Sequence, residues 1–323
     1  IIVKFMLQYL IILLNDSSTS ICHYKVPKID RWIDLDDLKS GIRFAMMENM
    51  MIQFVYPEEG IPRGYAEIIN SIDHIDIKPF KDEVKNDADV VVFNELPLNL
   101  LEEKFPTMIF RLTSQEFFDM PKYLVKQVCQ YTKRINVVIR EIDPILVWDF
   151  DRYKGKIEEL STIVEQEYVN GSTTQWNILT DRIMLSEMKN CGAGDTTITL
   201  APNGNFYICP AFYYDEMEDS VGDVHTGLAI PNQHLYKLEY APICKHCDAY
   251  QCKRCIWLNR RMTGEVNTPS QEQCVTSHIE RNASRELLYG IRKHGEFMSG
   301  TEIKEIDYLD PFEKREQWQQ ENL

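Results

Sequence analysis

Seven of the nine cysteines in this 323-residue chain fall in one stretch near its C-terminal end, and their order restricts the fold more than any other feature. The seven are Cys191, Cys209, Cys244, Cys247, Cys252, Cys255 and Cys274. The central four form two Cys-x2-Cys units, a spacing that lets two thiolates converge on one metal or on adjacent irons. Since we recognise no export signal, we expect thiols or metal ligands rather than disulfides. The stretch is therefore predicted to be a metal-binding module.

The spacing alone leaves two metal assignments open. A single tetrahedral zinc site would use the central four cysteines, whereas two separate clusters would draw on the same units. The zinc assignment gives no role to Cys191, Cys209 and Cys274.

Between Cys191 and Cys209, the pair Asn203-Gly204 predicts a β-hairpin whose two turn positions both have positive φ.

The part of the chain before the cysteines alternates strand-like and helix-like segments, which is typical of parallel α/β units. Strands are predicted at 6–14, 51–57, 107–112 and 135–141, and helices at 35–50, after Pro121 and at 155–169. The predicted fold class is α/β, with a partial (β/α) barrel in residues 1–185. A doubly wound sheet would produce a similar pattern. Residues 186–323 are predicted to form a small cysteine-rich domain with a helix at 277–293 and a charged tail.

The order of the cysteines resembles the SPASM signature of peptide-modifying radical S-adenosylmethionine enzymes, over residues 191 to about 280. The first segment, Cys-x12-Gly-x4-Cys, matches fully, and the central segment is one residue shorter in each of its last two gaps. The resemblance implies two auxiliary [4Fe–4S] clusters. Cys191, Cys209 and Cys255 would hold the first, and Cys244, Cys247, Cys252 and Cys274 would hold the second. The first set is one ligand short. Its fourth position would be an open iron or would hold a water or a carboxylate such as Asp195 or Asp215.

The barrel half lacks two elements that the resemblance implies. Radical S-adenosylmethionine enzymes carry Cys-x3-Cys-x2-Cys after the first strand, whereas the segment NDSSTSICHYKVPKID has Cys22 as its one thiol. They also carry Gly-Gly-Glu after the second strand, where this chain has Glu58, Glu59 and Gly60, interpreted as a turn. S-adenosylmethionine is therefore not expected as a cofactor. His23, beside Cys22, is interpreted as an exposed loop residue rather than a ligand.

The segments LIILLNDSSTSICHY and GIRFAMMENMMIQFVYP resemble the CXXX repeat peptide maturase family, whose members accompany short peptides with repeated cysteines. This resemblance implies maturation of a ribosomally made, cysteine-containing peptide, with the clusters binding the substrate or transferring electrons from a donor. The catalytic residues are unknown at this point. Three alternatives stay open: a non-catalytic partner or scaffold for a separate modifying enzyme, an active radical enzyme with an unusual first cluster, and a zinc-stabilised binding module.

Charge and hydropathy exclude some partners. The net charge of −15 argues against a nucleic acid, since binding the phosphate backbone needs a basic face. The apolar run at the start of the chain is interrupted by Lys4 and Gln8 and is too short to span a bilayer, so we expect a buried strand, no membrane partner and a cytoplasmic location. Five cations near the central cysteines would either stabilise cluster charge or be solvated surface groups; they are Lys245, Lys253, Arg254, Arg260 and Arg261.

Overall fold

The computed structural model describes residues 7–27, 30–81, 87–97, 103–140, 149–188, 191–215 and 219–304. Its strands are β1 (Tyr9–Leu13), β2 (Met51–Val55), β3 (Ile75–Pro79), β4 (Val90–Phe93), β5 (Phe105–Leu112), β6 (Thr132–Ile139), β7 (Gln175–Trp176), β8 (Thr197–Leu200), β9 (Phe206–Tyr207), β10 (Gly222–Asp223) and β11 (Gly227–Leu228). Its helices are α1 (Leu35–Met47), α2 (Arg63–Ile69), α3 (Ser114–Asp119), α4 (Lys122–Tyr131), α5 (Phe150–Val169), α6 (Asp181–Met184), α7 (Pro210–Asp215), α8 (Ile256–Thr263) and α9 (Gln271–Arg292). Short 3-10 turns span Gln233–Tyr236, Leu238–Tyr240 and Cys244–His246.

Nine of these strands form one sheet in the order β7-β6-β5-β4-β3-β2-β1-β8-β9. Strands β1 to β7 lie side by side in chain order and are all parallel, and β8 joins the other edge of β1, also in parallel. In the described part of the chain the edge strands β7 and β9 do not pair with each other. A doubly wound sheet would reverse its strand order instead. The predicted α/β class and partial barrel are therefore confirmed.

Alternation along the strands gives the sheet two different faces. Leu10 and Ile12 of β1 are fully buried in a core that also contains Leu38 of α1. On the opposite face, Ile11 stands beside Gln53 of β2 in the strand register, and Ile109 of β5 stands beside Asn136 of β6. These last four residues line a cavity on the concave side of the sheet.

Helix α9 joins the cysteine-rich part to the barrel. It begins at Gln271, earlier than predicted, because the side chains of Ser270 and Gln273 form a capping box at its start. Its residues Ala283, Leu287 and Ile291 belong to the same core as residues of α5 and β6. The sheet and this core both include residues on each side of position 185, and the domain boundary there stays a prediction.

The hairpin predicted around Asn203-Gly204 is present, as the antiparallel pair β8 and β9. Its turn differs from the prediction, because Gly204 has a φ of +78° but Asn203 has no positive φ. The side chain of Asn203 instead accepts a hydrogen bond from the Asn205 amide at 3.1 Å. A Cβ atom at Gly204 would lie 2.6 Å from an oxygen of Asp37, so glycine also permits the close approach of α1.

Within the ranges given above, no helix combines the length and the apolar character that crossing a bilayer requires.

Candidate metal centre

The concave side of the sheet opens into a cavity of about 1080 Å³. The sheet forms its floor, and segments from the cysteine-rich part form its other walls. Among the described residues that line it are four cysteines: Cys22, Cys191, Cys209 and Cys255. The structure thus brings the three cysteines of the first predicted cluster to one cavity and adds a fourth thiol, from the loop after β1.

Half-buried thiols and backbone amides meet at the three C-terminal cysteines of this cavity. Burial raises the pKa of the Cys191, Cys209 and Cys255 thiols, and neighbouring cysteines raise each pKa further. Backbone N–H groups that donate to the sulfurs act in the opposite direction and lower each pKa. The donor is Ala193 for Cys191 and Leu258 for Cys255, and Cys209 has two donors, Phe212 and Ala211. A bound metal would replace the thiol protons and relieve the repulsion between the thiolates.

A second group of cysteines lies in the segment of the two Cys-x2-Cys units. Cys244 is buried beside Met188 and Ala241, with Cys247 and Cys252 packed against them. The Ala249 amide donates to Cys247 Sγ at 3.4 Å, and the Arg254 amide donates to Cys252 Sγ at 3.3 Å. Amides aimed at the sulfurs are what this spacing predicts. Burial raises the pKa of Cys244 to about 12 and that of Cys247 to about 11.

The start of α9 lies against this second group. Cys274 sits in the first turn of α9, and one turn later His278 Nε2 lies 3.6 Å from Cys247 Sγ. Gln251, next to Cys252 in the chain, donates to the Ser277 carbonyl at 2.6 Å. Sequence reasoning missed His278, because nothing in the local spacing connects it to a cysteine 31 residues away.

The loop after β1 is fixed by contacts to the far strands of the sheet. Arg111 of β5 donates to the carbonyls of Cys22 and Tyr24 at 2.8 and 2.9 Å. His23 Nδ1 donates to the Ile139 carbonyl at 2.8 Å, which leaves the lone pair on Nε2. Burial lowers the pKa of His23 to about 4, so the ring is neutral at pH 7. The prediction of an exposed loop histidine is wrong, because His23 is half-buried against β6.

Other residues singled out in the sequence have different surroundings. Glu58 and Glu59 are exposed in a turn that the Gly60 amide closes on the Pro57 carbonyl, as predicted. Asp195 lines the cavity. The Asp215 carboxylate accepts from Trp257 Nε1 at 2.9 Å and lies 3.5 Å from Arg261.

The five cations predicted near the cysteines divide into two groups. Lys245, Lys253 and Arg254 line the cavity. Arg260 and Arg261 lie on α8, where they form ion pairs with Asp219 and Asp215, respectively. Lys253 lowers the pKa of both the Cys191 and Cys255 thiols, after the larger effect of burial. Cations at the cavity wall can therefore offset the charge of thiolate ligands.

The donor set fits iron–sulfur clusters. Each cysteine group combines several thiols with amide N–H groups that donate to sulfur, and hydrogen bonds of this kind tune clusters. In the part of the chain that the structure describes, no three His, Cys, Asp or Glu side chains are placed to hold one metal ion.

The chain has no match to a family sequence model or to a curated protein sequence. Its fold is similar to that of solved structures. For anSMEcpe with bound AdoMet the TM-score is 0.61 at 12% identity, over 89% of this chain and 98% of that chain. For native anSMEcpe with AdoMet and the Cp18Cys peptide the TM-score is 0.61 at 13% identity, over 88% and 99%. For Streptococcus suis SuiB bound to the precursor peptide SuiA it is 0.51 at 12% identity, over 84% and 76%. The predicted partial (β/α) barrel is confirmed as the fold that this chain shares with these structures.

Proposed function

We propose that this chain takes part in the maturation of a ribosomally made, cysteine-containing peptide and carries two [4Fe–4S] clusters in its SPASM-like C-terminal part. The observation behind this proposal is that Cys191, Cys209 and Cys255 line the cavity inside the barrel. A peptide side chain in this cavity would reach a metal that these thiols hold. The similarity of fold to anSMEcpe with its bound peptide and to SuiB with its precursor peptide supports a peptide as the ligand.

Each cysteine group has one role in this proposal. Cys191, Cys209 and Cys255 hold the first cluster, and Cys244, Cys247, Cys252 and Cys274 hold the second. When bound, the clusters supply electron transfer. Lys253 and Arg254 line the cavity and offset the thiolate charge. The backbone amides at Cys209 and Cys247 orient the sulfurs before a cluster binds.

In this proposal the chain acts without S-adenosylmethionine. The loop after β1 has a single thiol, and the turn after β2 carries Glu58 and Glu59 out into solvent. Neither segment offers the ligands that a cofactor-binding cluster needs. We expect no 5′-deoxyadenosine when the reduced protein is incubated with S-adenosylmethionine. Formation of that product would show that the chain is an active radical enzyme with an unusual cluster.

The peptide role can be tested on anaerobically purified protein with a synthetic peptide that contains several Cys-x3 repeats. We expect this peptide to change the electron paramagnetic resonance signals of the reduced clusters, because a thiol enters the cavity beside the first cluster. The same peptide with serine in place of cysteine is the control and should change nothing. A colourless protein with stoichiometric zinc would contradict the cluster assignment and leave the zinc-stabilised binding module.

A second candidate function is that of a non-catalytic partner or scaffold for a separate modifying enzyme. Exposed apolar side chains favour it, because Met46 and Met47 at the end of α1 are 65% and 83% exposed and Met51 of β2 is 46% exposed. Surfaces of this kind suit protein contacts. Electron paramagnetic resonance signals that do not change when the cysteine peptide is added would favour this function over the first.

A further inference from the structure

We infer that Cys22 supplies the fourth thiolate of the first cluster, the ligand that the C-terminal part of the chain does not provide. This inference rests on the proposed function, since it requires that Cys191, Cys209 and Cys255 hold that cluster. It also gives a role to the one cysteine in the loop after β1, which the proposed function leaves unused.

The cavity supplies the first argument. Cys22 lines the same cavity as Cys191, Cys209 and Cys255, although at least 169 residues of sequence separate it from each of them (191 − 22 = 169). Four thiolates are the usual complement of a [4Fe–4S] cluster. The fold therefore places four thiols from three distant segments on one cavity, where the SPASM-like spacing alone yields three.

The backbone of Cys22 is held in place before any ligand binds. Its carbonyl accepts from Arg111, whose side chain is buried and also bonds to the Tyr24 carbonyl and to Asn94. The hydroxyl of Ser20 donates to the Tyr24 carbonyl at 2.9 Å and closes the loop on itself. A ligand loop fixed in this way loses little conformational entropy when metal binds.

The same loop is attached to the segment that follows Cys209. The rings of Tyr24 and Tyr214 stack with centroids 5.3 Å apart, and the Tyr213 hydroxyl donates to the Asp16 carboxylate. Arg31 also pairs with Asp16, at 3.0 Å. Residues 213 and 214 lie on α7, which starts directly after Cys209. These contacts fix the position of the Cys22 loop relative to Cys209.

The other candidates for the fourth position have weaker support. The Asp215 carboxylate is already bonded to Trp257 and paired with Arg261. Asp195 lines the cavity and is the remaining carboxylate to test. We therefore compare Cys22 with Asp195 in one experiment.

The experiment measures iron and acid-labile sulfide per chain, with Mössbauer and electron paramagnetic resonance spectra, on anaerobically purified full-length variants. The variants are Cys22→Ala, Cys22→Ser, Asp195→Asn and Cys191→Ala. The matched control is Cys129→Ala, which removes a buried cysteine on α4 outside both groups.

We expect about eight irons per chain in the parent protein and in the control, four for each cluster. Cys22→Ala should retain about four irons, or give a [3Fe–4S] signal after mild oxidation, as Cys191→Ala should. Cys22→Ser should shift the spectrum of the first cluster, since an alkoxide replaces a thiolate.

A Cys22→Ala protein with the iron content and the spectra of Cys129→Ala would overturn the inference and leave the proposed function intact. A change in Asp195→Asn with none in Cys22→Ala would assign the position to the carboxylate. A parent protein without iron would contradict the proposed function instead. Should the Cys22 variants not fold, alkylation of the parent protein decides. Cys22 should be protected in the iron-loaded protein and modified after chelation, and equal modification in both states would refute the assignment.

Discussion

Glu280 of α9 is a carboxyl group held inside the molecule between α5 and the cysteine-rich segment. It is 9% exposed, accepts a hydrogen bond of 2.6 Å from the Tyr153 hydroxyl, and lies 3.4 Å from Gln251 Nε2. Burial raises its pKa from 4.5 to about 7, even though the hydrogen bonds from Tyr153 and Gln251 lower the pKa. Between these two pKa values the folded protein keeps a proton that the unfolded chain has released. Stability therefore falls as pH rises through this window.

Replacing Glu280 with glutamine should remove this pH dependence, because an amide does not titrate. We expect Glu280→Gln to unfold near the parent temperature at about pH 5 and to be more stable than the parent by on the order of 3 kcal/mol at about pH 8. Thermal unfolding midpoints across this pH range measure the difference. Glu286→Gln, an exposed carboxyl on the same helix, is the control. Parallel curves for Glu280→Gln and the parent would show that Glu280 does not carry the proton.

At the scale of single residues, the resemblance to the SPASM signature implied the grouping of Cys191, Cys209 and Cys255. The Cys-x2-Cys spacing predicted the amides aimed at Cys247 and Cys252. The neighbours of Cys22, His278 and Glu280 do not follow from local patterns, because they depend on how distant strands and helices pack. Arg111 contacts Cys22 across 89 residues, and Tyr153 contacts Glu280 across 127.

At the scale of elements, the first turn of α9 would link helix stability to the second proposed cluster. Ser270 and Gln273 cap this helix, and Cys274 follows at once. The sequence predicted this helix, but placed its start six residues late, at 277. The error arose because the capped turn contains cysteine and polar residues that do not continue the apolar pattern.

Removing the cap should loosen the ligand that the first turn carries. We expect Ser270→Ala to cost about 1 kcal/mol and to lower the unfolding midpoint by about 2 °C. We also expect the variant to lose iron to a chelator faster than the parent protein, and a chelation time course measures this. Thr162→Ala, which changes an exposed hydroxyl on α5, is the matched control and should lose iron at the parent rate. An unchanged rate in Ser270→Ala would mean that Cys274 does not limit iron release.

At the scale of the whole molecule, sequence periodicity predicted the α/β class, because each strand buries apolar residues that recur along the chain. It did not separate a partial barrel from a doubly wound sheet. It could not place the hairpin of β8 and β9 in the same sheet. That pairing depends on β8 finding the free edge of β1, and no local pattern records it. The cavity follows from this pairing, since the sheet supplies its floor and the cysteine-rich segments supply its walls.

Iron removal should destabilise the cysteine-rich segment more than the barrel strands. We expect the iron-free protein to have a lower unfolding midpoint, because metal binding stabilises the folded state that holds it. Hydrogen exchange should quicken in residues 244–255, which have no long helix or strand. It should change little in β5 and β6, which pair along most of their length. Uniform quickening across both regions would contradict a local role for the metal.

The strand order has a consequence for biosynthesis. β1 lies in the interior of the finished sheet, yet one of its two neighbours, β8, is translated long after it. At about 5–20 residues per second, the nascent chain carries an open apolar strand edge for on the order of ten seconds. β8 begins shortly after Cys191, so the step that closes this edge also delivers the first cysteine of the C-terminal part to the cavity. Sheet completion therefore also positions Cys191 at the cavity, and a chain terminated before β8 would leave the edge of β1 open.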